Sequence, residues 1–164
     1  MNFIHIPKTG GTSIYVTLGI KEPGHKKLLK YTPNTFTVVR NPFDRLVSHF
    51  FYIKTKNSYY YKRHPNFKEF KEANFDDYIY LCEQNNNFYL KPQHEYICDD
   101  DKNILVEYIL RFENLQKDFN KFYDLKLPYL NKSNRNKNWK KYYNENTIKT
   151  VYQFYKKDFK IFNY

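Results

Sequence analysis

Short apolar runs and amphipathic stretches alternate along this chain. Apolar and β-branched residues over 2–6 and 35–40 predict two strands. Apolar residues at helical spacing follow each strand, and they predict helices over residues 12–18 and from Asn41 onward, with Asn41 as the helix cap. The polar stretch 21–34 contains prolines and a glycine, and it predicts mostly loop.

The second half of the chain continues the same pattern. Helices are predicted over residues 67–82, 115–125 and 144–159, and a third strand over residues 104–112. Strands and helices alternate, and the chain shows neither an internal repeat nor a domain linker. We therefore predict one α/β domain over residues 1–164, with a small parallel sheet flanked by helices.

The composition adds a basic and aromatic character to this picture. The formal net charge is +11 at pH 7, which favours anionic partners such as nucleic acid, a phosphorylated nucleotide or an acidic polymer. Abundant Lys, Asn, Tyr, Phe and Ile would also follow from an AT-rich coding sequence. The charge alone does not choose between these explanations.

Cysteine usage and hydropathy bear on where the protein works. Cys82 and Cys98 form no C-x-x-C pair, and we expect both to be buried, reduced thiols. No signal-peptide pattern precedes the first strand, and no apolar run approaches the ~20 residues that span a bilayer. We therefore expect a soluble, cytoplasmic protein without a membrane span.

The segment between the first strand and the first helix is the most informative one. An apolar strand, a glycine loop and a helix start follow one another in Ile4-His5-Ile6-Pro7-Lys8-Thr9-Gly10-Gly11-Thr12-Ser13-Ile14. In such a loop, backbone amides, the Lys8 ammonium and nearby hydroxyls can converge on one phosphate. A P-loop NTPase places its lysine after the second glycine, whereas Lys8 precedes both glycines. A phosphate loop of a different kind is therefore predicted.

A second candidate anion site follows the second predicted strand, in the run Arg40-Asn41-Pro42-Phe43-Asp44-Arg45-Leu46-Val47-Ser48. Ligands of parallel sheets bind beyond the carboxyl ends of the strands, so Arg40 should share an edge with the glycine loop. The Arg40 guanidinium and the Ser48 hydroxyl can together hold a second phosphate. The simpler alternative for Arg40 and Arg45 is a surface ion pair with Asp44 or with another neighbour.

Together the two runs resemble those of sulfotransferases. Residues 6–13 are similar to the family's 5′-phosphosulfate loop and residues 39–48 to its 3′-phosphate motif, with the nearest likeness to carbohydrate sulfotransferases of the heparan 2-O and chondroitin type. Weaker similarity continues through residues 111–115 and 155–159, so it runs nearly end to end. The resemblance implies a P-loop-like domain and a donor, 3′-phosphoadenosine 5′-phosphosulfate (PAPS), which leaves as 3′-phosphoadenosine 5′-phosphate (PAP).

The resemblance also implies which residues bind the donor. The 5′-phosphosulfate would be bound by Lys8, Thr9, Gly10, Gly11, Thr12 and Ser13. The 3′-phosphate would be bound by Arg40 and Ser48, and the segment that closes over the nucleotide would contribute Ser133 and Arg135. Lys8 is expected to stabilise the leaving phosphate oxygen. The stretch between the two motifs is shorter than in family members of this type, so the acceptor side is less defined than the donor side.

An acceptor hydroxyl needs a general base, and five histidines compete for that role. His25 is favoured because it lies between the two donor motifs, where related enzymes place their base. His94 is the second candidate and Glu22 the third. His5 lies inside the first strand and is expected to pack in the core. The two remaining histidines are His49 and His64.

By resemblance, the acceptor is expected to be a hydroxyl of an oligosaccharide or polysaccharide. The aromatic, basic segments 59–64 and 139–143 suit contact with such an acceptor, but their composition equally suits single-stranded nucleic acid or a solvated face over an aromatic core. No carboxylate cluster suggests a metal, so none is expected. A P-loop-like nucleotide kinase is one alternative, and the position of Lys8 argues against it. A non-catalytic nucleic-acid-binding module is another, which explains the charge but not the paired motifs. We therefore expect no nucleic-acid partner.

Overall fold

The computed structural model describes residues 1–55, 67–84, 90–130 and 133–164. The chain packs as two compact units, of which the first contains residues 1–41, 92–132 and 157–164, and the second residues 42–91 and 133–156. The predicted aromatic segment 59–64, with His64, lies outside the described residues. The prediction of a single domain over residues 1–164 stays a prediction.

A three-stranded parallel sheet forms the centre of the first unit. Its strands β1 (Asn2–Ile4), β2 (Thr32–Val39) and β3 (Val106–Arg111) lie side by side in chain order. This confirms the predicted mixed α/β class with a small parallel sheet. β2 begins at Thr32 rather than at residue 35, because Thr32 already pairs with Val106 of β3.

The described part of the chain also contains helices and two 3-10 turns, at Phe112–Asn114 and Trp139–Tyr142. In chain order the helices are α1 (Gly11–Thr17), α2 (Pro42–Ile53), α3 (Phe67–Glu72), α4 (Phe75–Gln84), α5 (His94–Ile97), α6 (Leu115–Phe119), α7 (Glu145–Phe154) and α8 (Lys156–Phe162). None of these helices has the length and apolarity needed to cross a bilayer.

Helices cover both faces of the sheet in the first unit. Neighbouring residues of a strand point to opposite faces, so Val38 and Val39 belong to two separate apolar clusters. Helices α1 and α6 complete the cluster that contains Val38, and α5 and α8 complete the cluster that contains Val39. Cys98 is buried in the second of these clusters, and Cys82 is buried in α4. Both cysteines are free, as predicted.

The second unit is mainly helical and is held together by aromatic rings. The Phe50 ring of α2 lies 5.2 Å from that of Phe75 and 5.4 Å from that of Tyr78, both on α4. Phe75 in turn lies 4.9 Å from Tyr143. Edge-to-face and tilted ring pairs of this kind add to the energy of burial, and they account for part of the high aromatic content.

Three predicted helices have different bounds in the structure. Residues 67–82 form two helices, because the side chain of Asn74 accepts a hydrogen bond from the Asp77 amide (2.9 Å) and so caps a new start. The helix predicted over 144–159 divides at Tyr155 into α7 and α8. Helix α6 ends at Phe119 rather than at residue 125. The Gln116 side chain accepts a hydrogen bond from the Leu127 amide (2.8 Å), in the segment that follows the helix.

Candidate functional site

The glycine loop joins β1 to α1 within the first unit. Lys8 and Gly10 have positive φ angles of 66° and 85°, so the chain reverses within a few residues. The Ser13 amide donates to the Gly10 carbonyl (3.1 Å). The Thr9 hydroxyl is buried and donates to the Ile6 carbonyl (2.8 Å). Thr9 therefore stabilises the loop through a buried hydrogen bond to the loop backbone.

Arg40 follows β2 and reaches the same loop, at the sheet edge predicted from the sequence. Its Nη1 donates to the Lys8 carbonyl (3.0 Å), and its guanidinium lies 3.9 Å from the centre of the Phe112 ring. The buried Gln93 side chain binds both backbone groups of Arg40, accepting from its amide (2.9 Å) and donating to its carbonyl (2.8 Å). These contacts fix Arg40 against the loop.

Both Arg40 and Arg45 are buried, so the alternative of an ion pair at the protein surface does not describe either side chain. In the second unit, Arg45 Nη1 donates to the Lys91 carbonyl (2.9 Å). Asp44 forms an ion pair with Arg135, at 2.6 Å.

The other predicted donor residues of the second unit lie on α2 and in the segment after residue 132. Ser48 is buried on α2. The Ser133 hydroxyl accepts a hydrogen bond from Arg135 Nε (3.1 Å). Arg135 is thus engaged by Ser133 and by Asp44.

His5 links the glycine loop to the segment that follows α1. It comes directly after β1 and is buried, as predicted. Its ring lies against Gly11 so closely that a Cβ on Gly11 would be 2.1 Å from His5 Nε2. Burial, with the nearby charges of His25 and Lys8, lowers the pKa of His5 to about 3. The ring is therefore neutral at neutral pH.

His25 lies next to His5, and hence beside the glycine loop. Their ring centroids are 4.3 Å apart, and the Nδ1–H of His25 donates to the His5 carbonyl (3.1 Å). A carbonyl can only accept, so this bond fixes the tautomer and leaves a lone pair on Nε2 of the neutral ring. Glu22 completes the group, since one ligand atom each of His5, Glu22 and His25 lies within 4.8 Å of the others.

The second candidate base, His94, has a different environment in the same unit. Its Nδ1 lies 2.7 Å from the fully buried carboxylate of Asp158, which also accepts hydrogen bonds from the His94 amide (3.0 Å) and the Gln93 amide (2.7 Å). Asp158 thereby joins α8 to the start of α5. The remaining described histidine, His49, is buried on α2 and lies 2.8 Å from the Tyr78 hydroxyl.

Sequence reasoning missed two residues that organise this site. These are Gln93, which binds the backbone of Arg40, and Asp158, which binds His94. The burial of His5 was predicted, but its position between Gly11 and His25 was not.

One of three comparisons with known proteins finds a match. The family model described as "Sulfotransferase family" matches residues 1–164, which is the whole chain. Neither a curated protein nor a solved structure matches it.

Proposed function

The chain belongs to the sulfotransferase family, and from this premise we propose that its glycine loop and Arg40 bind PAPS and that His25 is the general base. Enzymes of this family use PAPS to sulfate a hydroxyl-bearing acceptor. The observation that carries the proposal is the contact chain Gly11–His5–His25, which brings a histidine with an available Nε2 beside the predicted phosphosulfate loop.

The charged and hydroxyl side chains near the glycine loop of the first unit suit the binding of a phosphorylated anion. Lys8 and Arg40 supply positive charge at the loop, and Thr12 and Ser13 supply hydroxyl donors. Glu22 is the only acidic residue before Asp44, so the segment that contains both Lys8 and Arg40 carries a strong excess of positive charge. Basic side chains and loop amides are the groups that recognise phosphate and sulfate in proteins.

Each residue then has a defined task. PAPS supplies the activated sulfuryl group. Lys8 stabilises the negative charge that develops on the leaving phosphate oxygen, and His25 Nε2 accepts the proton of the acceptor hydroxyl. Arg40 holds the loop through the Lys8 carbonyl and adds positive charge for the donor. The sequence-based assignments of Ser48, Ser133 and Arg135 to donor binding are kept as part of this proposal.

For the acceptor we propose a carbohydrate hydroxyl, which the resemblance favours. In the second unit, the Trp139 ring stacks on Phe43 with centroids 4.9 Å apart, and Lys140 and Lys141 follow directly. A held aromatic ring beside two cations is a suitable surface for an acidic sugar. Transfer of labelled sulfate to a panel of oligosaccharides, phenols and tyrosyl peptides will identify the acceptor class, and exclusive transfer to a phenol or a peptide would overturn this part.

Donor binding is tested by thermal unfolding of the full chain with PAP in the absence of magnesium. We expect PAP to raise the melting temperature strongly, because only the folded loop binds it. ATP with magnesium and a short oligonucleotide are the comparison ligands, and they represent the kinase and the nucleic-acid-binding alternatives. Greater stabilisation by either of them would contradict the proposal.

The catalytic roles are tested with Lys8→Ala and His25→Ala in a transfer assay with labelled PAPS. Loss of the Lys8 charge should lower the transfer rate by about 10²–10³, and loss of the base by about 10²–10⁴. Lys26→Ala is the matched control, because it removes a neighbouring exposed side chain from the same loop as His25. Full activity of His25→Ala would reassign the base, and His94→Ala and Glu22→Gln would then be compared.

A further inference from the structure

The group formed by His5, Glu22 and His25 has the composition of a metal site. One ligand atom of each residue lies within 4.8 Å of those of the other two. Two imidazoles and one carboxylate are a ligand set that Zn²⁺ uses where three protein groups bind the ion and a fourth position stays open. Mg²⁺ and Ca²⁺ prefer oxygen ligands, so the two ring nitrogens favour a transition metal.

His25 is oriented for this role by a hydrogen bond, and His5 offers a buried ring nitrogen without a hydrogen-bond partner in the described part of the chain. Histidines that bind metals usually donate their second ring N–H to a carbonyl or carboxylate, which fixes the ring and points the other nitrogen at the metal. His25 has this arrangement, with Nδ1–H on the His5 carbonyl at 3.1 Å. His5 itself is more than nine-tenths buried, and its Nδ1 has no hydrogen-bond partner among the described residues.

Glu22 supplies the negative charge that such a site needs. It is the only carboxylate before Asp44, in a segment rich in lysine. The structure nevertheless places it beside the two histidines. A carboxylate in this position partly offsets the repulsion between a divalent cation and the surrounding positive charges, among them Lys8.

The geometry requires a small closing movement. Ligand atoms around a tetrahedral Zn²⁺ lie about 3.4 Å apart, whereas the group spans up to 4.8 Å. His5 is fixed by its packing on Gly11, but Glu22 and His25 are exposed and lie on either side of Gly24, whose φ is 68°. Side-chain rotation in this exposed loop can bring both ligands onto an ion held at His5.

We propose that His5, Glu22 and His25 bind one Zn²⁺ ion, and that the bound ion inhibits sulfuryl transfer by occupying Nε2 of His25. A nitrogen that ligates Zn²⁺ has no lone pair with which to accept the acceptor's proton. The inhibitory part rests on the proposed function of His25, whereas the binding part does not. This proposal departs from the sequence-based expectation that no metal is bound.

Binding is tested by calorimetric titration of the metal-free full chain with Zn²⁺ alone, without donor or acceptor. We expect one ion per chain, and an affinity that His25→Ala and Glu22→Gln each weaken about tenfold or more, as the loss of a ligand should. The matched controls are Lys26→Ala, from the same loop, and Asp101→Asn, an exposed carboxylate of the same unit. Melting curves check that every variant is folded; the buried His5 is left intact for this reason. No saturable binding, or equal affinity in His25→Ala and the controls, would overturn the site.

Inhibition is measured separately, as the transfer rate from labelled PAPS with and without stoichiometric Zn²⁺. The expected result is a loss of at least about tenfold that a chelator reverses. Unchanged transfer by the Zn²⁺-loaded enzyme would overturn the inhibitory role while the site stands. A chain that transfers no sulfate under any condition would instead contradict the proposed function, and calorimetry would still decide the metal site.

Discussion

At the scale of single residues, the contact between His5 and Gly11 is the most constrained feature of the site. Gly11 has no side chain, and the His5 ring occupies the space that one would need. The backbone carbonyl of the same residue accepts the hydrogen bond from His25. The position of the candidate base therefore depends on a glycine of the loop. A substitution at Gly11 should alter both the loop and the position of His25.

We predict that Gly11→Ala destabilises the protein by about 3 kcal/mol, because the new Cβ overlaps a buried ring. Gly24→Ala is the control. It meets no atom within 4 Å and should cost about 1 kcal/mol through its left-handed backbone alone. Urea denaturation of both variants measures the difference. The double variant Gly11→Ala/His5→Ala should lose less stability than the sum of the losses in the two single variants. Additive losses of stability would show that the His5 ring does not clash with the new Cβ.

The two thiols should be inert in the folded protein. Burial raises the pKa of Cys82 to about 12 and that of Cys98 to about 11, and the thiolate is the reactive form. At pH 8 both groups are therefore protonated as well as inaccessible. Ellman's reagent should label neither cysteine in the native chain and both in denaturant. Rapid labelling of native protein at pH 8 would contradict the buried positions of these side chains.

At the scale of elements, single polar side chains decide where helices start and how they are joined. Asn74 separates α3 from α4, and Asn144 caps α7 through a reciprocal pair of hydrogen bonds with Thr147. Asp158 acts over a longer distance, because one carboxylate on α8 accepts hydrogen bonds from the first turn of α5 and from the residue before it. A negative charge at the N-terminus of a helix also interacts favourably with the first backbone amides, which have no partner within the helix.

We predict that Asp158→Asn lowers the free energy of unfolding by about 3 kcal/mol, because the amide NH₂ replaces a buried acceptor whose partners among the described residues are donors. Asp101→Asn makes the same chemical change at an exposed position and should stay within about 0.5 kcal/mol of the parent. Urea denaturation compares the two. Similar, small effects of both changes would mean that Asp158 does not join α5 to α8.

At the scale of the whole molecule, local sequence patterns predicted the elements that form the site. They did not predict the hydrogen bonds between residues that are distant in the sequence. The sheet, the glycine loop and the shared edge with Arg40 follow from periodicity and from the rule that parallel strands end together. The Gln93 side chain reaches Arg40 across 53 positions, and His94 reaches Asp158 across 64. Neither pair leaves a trace in local sequence, because a polar side chain finds its buried partner only after the fold has formed.

The net charge of +11 offers a competing account of donor binding, in which any anion is attracted by the whole protein. Exposed charges farther apart than about 8–10 Å are largely screened at physiological salt, so we expect the loop to dominate. Lys149→Ala/Lys160→Ala removes two exposed charges of α7 and α8, which lowers the net charge from +11 to +9 and leaves the loop intact. This double variant should bind PAP within about twofold of the parent, whereas Lys8→Ala should bind it at least about tenfold more weakly, as expected for a lost charged hydrogen bond. Calorimetry with PAP measures both affinities, and equal losses would assign donor binding to the overall charge.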